Sequence, residues 1–452
     1  MSLDHAMDAT PRPRSNVEGL SWPPVLVGEA ATLAVLQAQF RDSERWAPER
    51  IAVLQRRQID QLAAHAHAQS VFWRARLNAA GYGSGAGWWE ALPVLTRIEA
   101  QAAGAKLMAR RVPPSHGAVV RANTSGSTGT PLEVAKTELA MLFWKAITLR
   151  DSLWHARDLR GKLVAIRVGV ERQDRSNWGD AYDGYECGPG VAFDSREDLE
   201  LQLDWLLAER PQVLLTHPSN LRALAIRSQE RGCTLPSLRE ARTYSESLPA
   251  DLRDQVQAAW GVPLSDLYSA IEVGYVALQC PQSGLYHVQS EDVLVEVIGE
   301  DGRPCAPGES GRVVVTSLHN FAMPLLRYDL GDFATVGGPC PCGRTLPTLE
   351  GILGRTRNMM RLPGGRTAWP GFPMDTLVKL KAISELKMIQ HSLEEIEIQM
   401  VLKRALTPAE ETTLAQAVKT RLRHPFQVRL TAVERIRAGA GHKLEDFECR
   451  MA

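Results

Sequence analysis

The densest chemical signal in the sequence is Thr124-Ser125-Gly126-Ser127-Thr128-Gly129-Thr130-Pro131. Glycines leave backbone N–H groups uncovered and short hydroxyls add donors, so such a loop can wrap phosphate oxygens. It lacks the Gly-Lys-Ser/Thr ending of a Walker loop. The same residue types also build ordinary surface loops, so the signal needs company. A second constellation is Cys280 and His287, seven positions apart, with Cys340-Pro341-Cys342 further on. Two such pairs can join into a tetrahedral Cys₃His zinc site, structural because four protein ligands leave no open position. The alternative is four unrelated reduced side chains, since Cys-x-Cys is tighter than the usual Cys-x₂-Cys knuckle. Cys187, Cys233, Cys305 and Cys449 have no matching partners and read as buried free thiols.

The elements that must position these residues follow from periodicity. Residues 31–81 repeat apolar side chains every three or four positions and predict helices, ended by Gly81 and Gly83. Short apolar runs at 163–168, 213–217 and 264–269 predict buried strands, with helices at 196–209 and 219–231 between them. That alternation predicts a mostly parallel, helix-covered sheet. Residues 285–336, rich in β-branched runs and Gly/Pro turns, predict antiparallel hairpins. The last stretch of about 95 residues alternates strand and helix, enough for a small α+β domain. The expected organisation is a flexible leader over 1–25, a large domain over 26–353, a hinge over 354–358 and a small mobile domain over 359–452.

Composition bounds the function. The chain has 452 residues, with 52 Lys+Arg against 52 Asp+Glu. The balance gives no electrostatic reason to expect nucleic acid or a membrane surface as partner. No run of about 18 apolar residues predicts a transmembrane helix. The polar N-terminus lacks the core of a secretory peptide, and the scattered cysteines do not make a disulfide framework. A cytoplasmic protein is expected. Arginine dominates the positive charge, and with only ten lysines each one is worth locating.

Downstream of the loop come Tyr268-Ser269-Ala270-Ile271-Glu272, then Arg327-Tyr328-Asp329-Leu330-Gly331-Asp332, Gly354-Arg355 and Gly441-His442-Lys443. In this order the series resembles the adenylate-forming enzymes, and within them the phenylacetate–CoA ligase family. LPVLTR at 92–97, THPSN at 216–220, TYSESLP at 243–249 and GLYHVQSEDVLVEVI at 284–298 agree. The likeness covers about residues 60–450.

The resemblance implies an α/β adenylate-forming fold and a two-step reaction. A carboxylate attacks the α-phosphate of ATP, giving an acyl-adenylate and pyrophosphate, and the thiol of CoA then displaces AMP. The acid is expected to be aromatic or arylacetic. Thr124, Ser125, Gly126, Ser127, Thr128, Gly129 and Thr130 would hold the β- and γ-phosphates. Glu272 would bind Mg²⁺, Asp332 both ribose hydroxyls, and Tyr268 the adenine or acyl group. Glu246 would skirt the base, Arg355 would sit near ribose and phosphates, and Lys443 would reach the α-phosphate and carboxylate. The acyl pocket candidates are Trp144, His217, Ser219, Tyr244 and Ala270. Some family members share the cysteine arrangement, which favours zinc. Three departures stand out: Thr130 replaces a common lysine, Arg357-Asn358 replace a hinge aspartate, and His442 precedes Lys443. Transfer to a carrier-protein thiol or an amine, and a catalytically silent nucleotide-binding relative, are the alternatives. Homodimers occur among relatives.

Overall fold

The computed structural model describes residues 11–85, 87–123, 132–355, 359–368, 370, 376, 380, 382–434, 436 and 447–451. The phosphate-loop residues 124–130, Arg357, Asn358, His442 and Lys443 lie outside them, as does the side chain of Arg355.

The helical N-terminal pattern forms Gly28–Ser43, Pro48–Gln69 and Val71–Ala79. Pro48 opens the second helix, where its missing N–H costs nothing. Ser70 caps the third by accepting the N–H of Trp73. Residues 11–25 depart from the leader expectation. Arg14 N–H donates to Gly184 O at 2.9 Å, and Glu186 N–H to Arg12 O at 2.9 Å. Backbone pairing of this kind is invisible in side-chain pattern, which is why a polar, Pro-rich segment reads as loose.

The strands are β1 (Val119–Asn123), β2 (Glu133–Thr137), β3 (Leu163–Arg167), β4 (Gln173–Arg175), β5 (Gly190–Asp194), β6 (Val213–Thr216) and β7 (Glu240–Tyr244). There follow β8 (Leu264–Ala270), β9 (Gly274–Gln279), β10 (Tyr286–Val288), β11 (Val293–Ile298), β12 (Ser310–Ser317), β13 (Tyr328–Val336) and β14 (Thr348–Arg355). β1 and β2 make a hairpin of their own. The other twelve form one sheet in the order β11-β12-β13-β14-β10-β9-β8-β7-β6-β3-β5-β4. From β5 through β3, β6 and β7 to β8 neighbours run parallel. This half carries the continuous apolar runs of a sheet covered on both faces, with Val164, Ile166, Leu214 and Ala241 buried against Leu203, Leu206, Leu221 and Val256 of the covering helices. From β8 onward neighbours run antiparallel, through β9 and β10 to the β11–β12–β13 meander. The two expected patterns thus meet at β8, which carries Tyr268.

β8 also carries a buried carboxyl. Asp266 accepts Thr243 Oγ1 at 2.6 Å and Tyr286 Oη at 2.7 Å, yet burial pushes its pKa up to about 6. The folded protein therefore keeps this proton between pH 4 and 6, where the unfolded chain loses it. Stability from this group is greatest below pH 4 and is lost as pH rises to 6, by about 3 kcal/mol. In Asp266→Asn that loss is removed. Its Tm relative to the parent, followed by calorimetry from pH 4 to 7.5, should climb by a few degrees; a constant difference would refute the assignment.

Contacts divide the chain into two units, the first ending at Ile352 and the second starting at Leu353. The second contains the short hairpin β15 (Met360–Arg361) and β16 (Thr367–Ala368), and a four-stranded sheet. Its strands are β17 (Ile383–Gln390), β18 (Glu395–Leu402), β19 (Gln427–Ala432) and β20 (Phe447–Cys449), in the order β19-β18-β17-β20. Helix Pro408–Leu422 starts with a Thr407/Glu410 capping box. It buries Leu414, Val418 and Leu422 with Met388, Ile396, Ile398 and Phe447. Among the described residues no helix is long and apolar enough to cross a membrane.

Candidate active site

The motif residues converge because β13 is pinned on both sides. In YDLGD, Asp329 Oδ1 accepts the N–H of Gly331 at 2.8 Å, closing a tight turn. Gly331 takes φ +76°, which only glycine adopts without strain. The turn presents Asp332, whose Oδ2 accepts Tyr268 Oη at 2.8 Å from β8. Two motifs 64 residues apart are thereby joined by one hydrogen bond.

On the other side of β13 lies the LPVLTR segment. Leu95 N–H donates to Arg327 O at 2.8 Å, and Asp329 N–H to Leu95 O at 2.9 Å. Thr96 then starts helix Arg97–Ala103 with a capping box to Glu99. Arg97, the first helical residue, reaches Glu272 at 2.9 Å. Glu272 sits in the turn between β8 and β9 and is 6% exposed, so an uncompensated charge there would be costly. One buried carboxylate is what Mg²⁺ usually takes from a protein, the remainder of its shell being water and phosphate oxygen.

Glu246 follows Ser245, a non-glycine residue at φ +72° just past β7. Strain of this kind costs about 1–3 kcal/mol and clusters at functional positions. Glu246 Oε2 accepts the N–H of Ser219 at 3.0 Å, in the first turn of helix Pro218–Glu230, where negative charge is favoured. The rings of His217 and Tyr244 lie 4.6 Å apart. The THPSN and TYSESLP segments therefore meet here. Trp144 stacks loosely on Tyr275, with centroids 6.0 Å apart.

Cys280, His287, Cys340 and Cys342 also come together, with all their ligand atoms within 4.8 Å of one another. Cys280 and Cys340 Sγ are 3.7 Å apart, and Cys342 Sγ lies 3.3 Å from His287 Nε2. Two Zn–S bonds of about 2.3 Å at the tetrahedral angle span roughly 3.8 Å, so the donor set fits zinc. Burial opposes ionisation of Cys280, but the backbone N–H groups of Ser283 and Gln282 hold its thiol below the usual value. His287 Nδ1 faces Leu346 O at 3.5 Å, which leaves Nε2 toward the sulfurs. Cys187, Cys233, Cys305 and Cys449 are partly rather than fully buried.

No protein-family model matches the chain. Phenylacetate–coenzyme A ligase of Thermus thermophilus is 29% identical over 356 residues, 75% of this chain and 77% of that one. The Pseudomonas putida phenylacetate–coenzyme A ligase is 24% identical over 347 residues, covering 73% and 78%. The chain is a relative of the phenylacetate–CoA ligases. Its fold is that of 2-hydroxyisobutyryl-CoA ligase, solved in complex with R3-HIB-AMP, at TM-score 0.71, 21% identity and 90% and 91% coverage.

Sequence reasoning overlooked the pairing of Arg97 with Glu272. The Thr-x-x-Glu capping signature at 96–99 marks a helix start, and a basic side chain there was the available clue. Reasoning also missed Lys136, Asp292 and His319. Lys136 and His319 carry no motif, Asp292 lies unremarked within the 284–298 segment, and only the folded chain places His319 Nδ1 3.0 Å from Asp292.

Proposed function

We propose that this protein is an AMP-forming acid–CoA ligase acting on an aromatic or arylacetic acid. The hydrogen bond between Tyr268 and Asp332 carries the reading, because it links the two motifs that would hold the nucleoside. Asp332 accepts the ribose hydroxyls, steadied by the Tyr268 hydroxyl, while the Tyr268 ring lies along adenine or acyl group. Glu246 borders the base. Loop residues 124–130 donate backbone N–H and hydroxyl groups to the β- and γ-phosphates. Mg²⁺, held by Glu272, would offset charge on those phosphates. The acid's carboxylate oxygen attacks the α-phosphorus and pyrophosphate leaves. Lys443, with Arg355, neutralises charge at the α-phosphate as the new bond forms. CoA sulfur then attacks the acyl carbon and AMP departs. Likeness to the phenylacetate–coenzyme A ligases of Thermus thermophilus and Pseudomonas putida supports the acid class.

The test is acid-dependent ATP–pyrophosphate exchange over benzoic, arylacetic, indolyl and short aliphatic acids. Exchange with aryl or arylacetic acids, followed by acyl-CoA on adding CoA, is the expected result. Product only with an amine or a carrier-protein thiol would replace the acceptor. ATP binding without exchange for any acid would favour a non-catalytic relative. Lys443→Ala should lose exchange about 100-fold with ATP binding retained; unchanged exchange would remove Lys443 from the mechanism.

A further inference from the structure

Four of the ten lysines precede residue 353, and three of them are in ordinary settings. Lys145 pairs with Glu29 at 2.6 Å, Lys162 with Glu209 at 3.0 Å, and Lys106 is exposed. Lys136 differs. It sits on β2, partly buried, and no carboxylate among the described residues lies within 4.0 Å of its ammonium. Two carboxylates face it from further off, and both are engaged. Asp292 is held by His319 at 3.0 Å, and Glu272 by Arg97 at 2.9 Å. Burial draws the ammonium below the ordinary lysine pKa, and the two carboxylates pull it partly back. A partly buried cation without a carboxylate in direct contact is unfavourable, and an arriving anion relieves that cost.

The surroundings narrow the anion. Asn320 Nδ2 donates to Ala135 O at 2.9 Å, which fastens the chain around residue 320 to β2 beside Lys136. The neighbouring His319 ring stacks on Phe143 at 3.8 Å and 6° between planes. Asp292 thus faces Lys136 on one side and holds the His319 ring of a flat aromatic pair on the other, a setting for a planar organic acid rather than for a triphosphate.

We propose that Lys136 binds a carboxylate of the acid substrate and so sets which acids are accepted. The proposal rests on the adenylating function. The carboxylate has two sources: the one that attacks ATP, or a second acidic group elsewhere on the acid.

The test compares the parent with Lys136→Met and Lys136→Arg in ATP–pyrophosphate exchange. Methionine keeps most of the stem's bulk and removes the charge, so the fold should hold. Matched acids are used with and without a second carboxylate, phenylacetate against 4-carboxyphenylacetate among them. Lys136→Met should raise KM for the acid about 10–100-fold, with KM for ATP within about twofold, and Lys136→Arg should recover most of the loss. Equal loss for both acids assigns the attacking carboxylate. Loss confined to the dicarboxylate, with the mono-acid gaining, assigns the second group. An unchanged acid KM, or a rise in ATP KM instead, overturns the proposal and leaves adenylation standing. No exchange by the parent with any acid overturns the adenylating function, and calorimetric binding of the same acids then decides Lys136. Binding by the parent that Lys136→Met abolishes supports it; binding kept in the variant, or absent from the parent, overturns it.

Discussion

Glu272→Gln is expected to lower acid-dependent ATP–pyrophosphate exchange on the order of 10³-fold. The substitution keeps shape and an acceptor oxygen for Arg97, so the 2.9 Å contact can persist as a neutral hydrogen bond. What disappears is the negative charge. The charge of the Arg97 contact is lost, and the hard oxygen that Mg²⁺ prefers becomes a weaker amide oxygen. Calorimetry of ATP binding over a Mg²⁺ series gives a readout apart from turnover. The variant should need much more Mg²⁺ for the same ATP affinity, whereas identical Mg²⁺ dependence and full exchange would show that Glu272 only anchors Arg97.

The second large effect concerns stability. Elemental analysis of protein purified without chelator should find one zinc per chain, and Cys342→Ser should abolish it. The four ligand atoms bring together the end of β9, the strand β10 and the loop before β14. Loss of the metal frees that loop and leaves buried thiols and an imidazole without partners. A fall in unfolding free energy of about 4 kcal/mol or more is expected, since losing a structural metal belongs among the most damaging changes. Denaturant unfolding of Cys342→Ser and of chelator-treated protein should agree. Metal-free protein of undiminished stability would return the four residues to the status of neighbouring reduced side chains.

Much of the architecture was legible because it rests on periodicity. The runs at 163–168, 213–217 and 264–269 became β3, β6 and β8, and the hairpin region became the antiparallel half of the sheet. What escaped was the register between distant elements. Nothing in 92–97 signals that Leu95 will pair with β13, so the approach of Arg97 to Glu272 was hidden. Residues 11–25 were misjudged for a related reason, because main-chain pairing with 184–186 leaves no side-chain trace. Motif residues were found by the resemblance of their ordered series to a known family, and the folded chain supplied their partners: Asp332 for Tyr268, Arg97 for Glu272 and the Ser219 amide for Glu246.

The bridge from Leu95 to Tyr328 has a consequence for how the protein is made. A growing chain displays the 92–97 segment early, but the strand that fixes it emerges more than two hundred residues later. Until then Arg97 has no held position, and Asp332 has not been synthesised. Long-range pairing of this kind slows folding and leaves apolar surface uncovered meanwhile. Nucleotide bound at the proposed Asp332 site therefore could not assist the early stages of folding, and a nascent fragment stopping short of β13 would lack that proposed site altogether, however much of the parallel half had already formed.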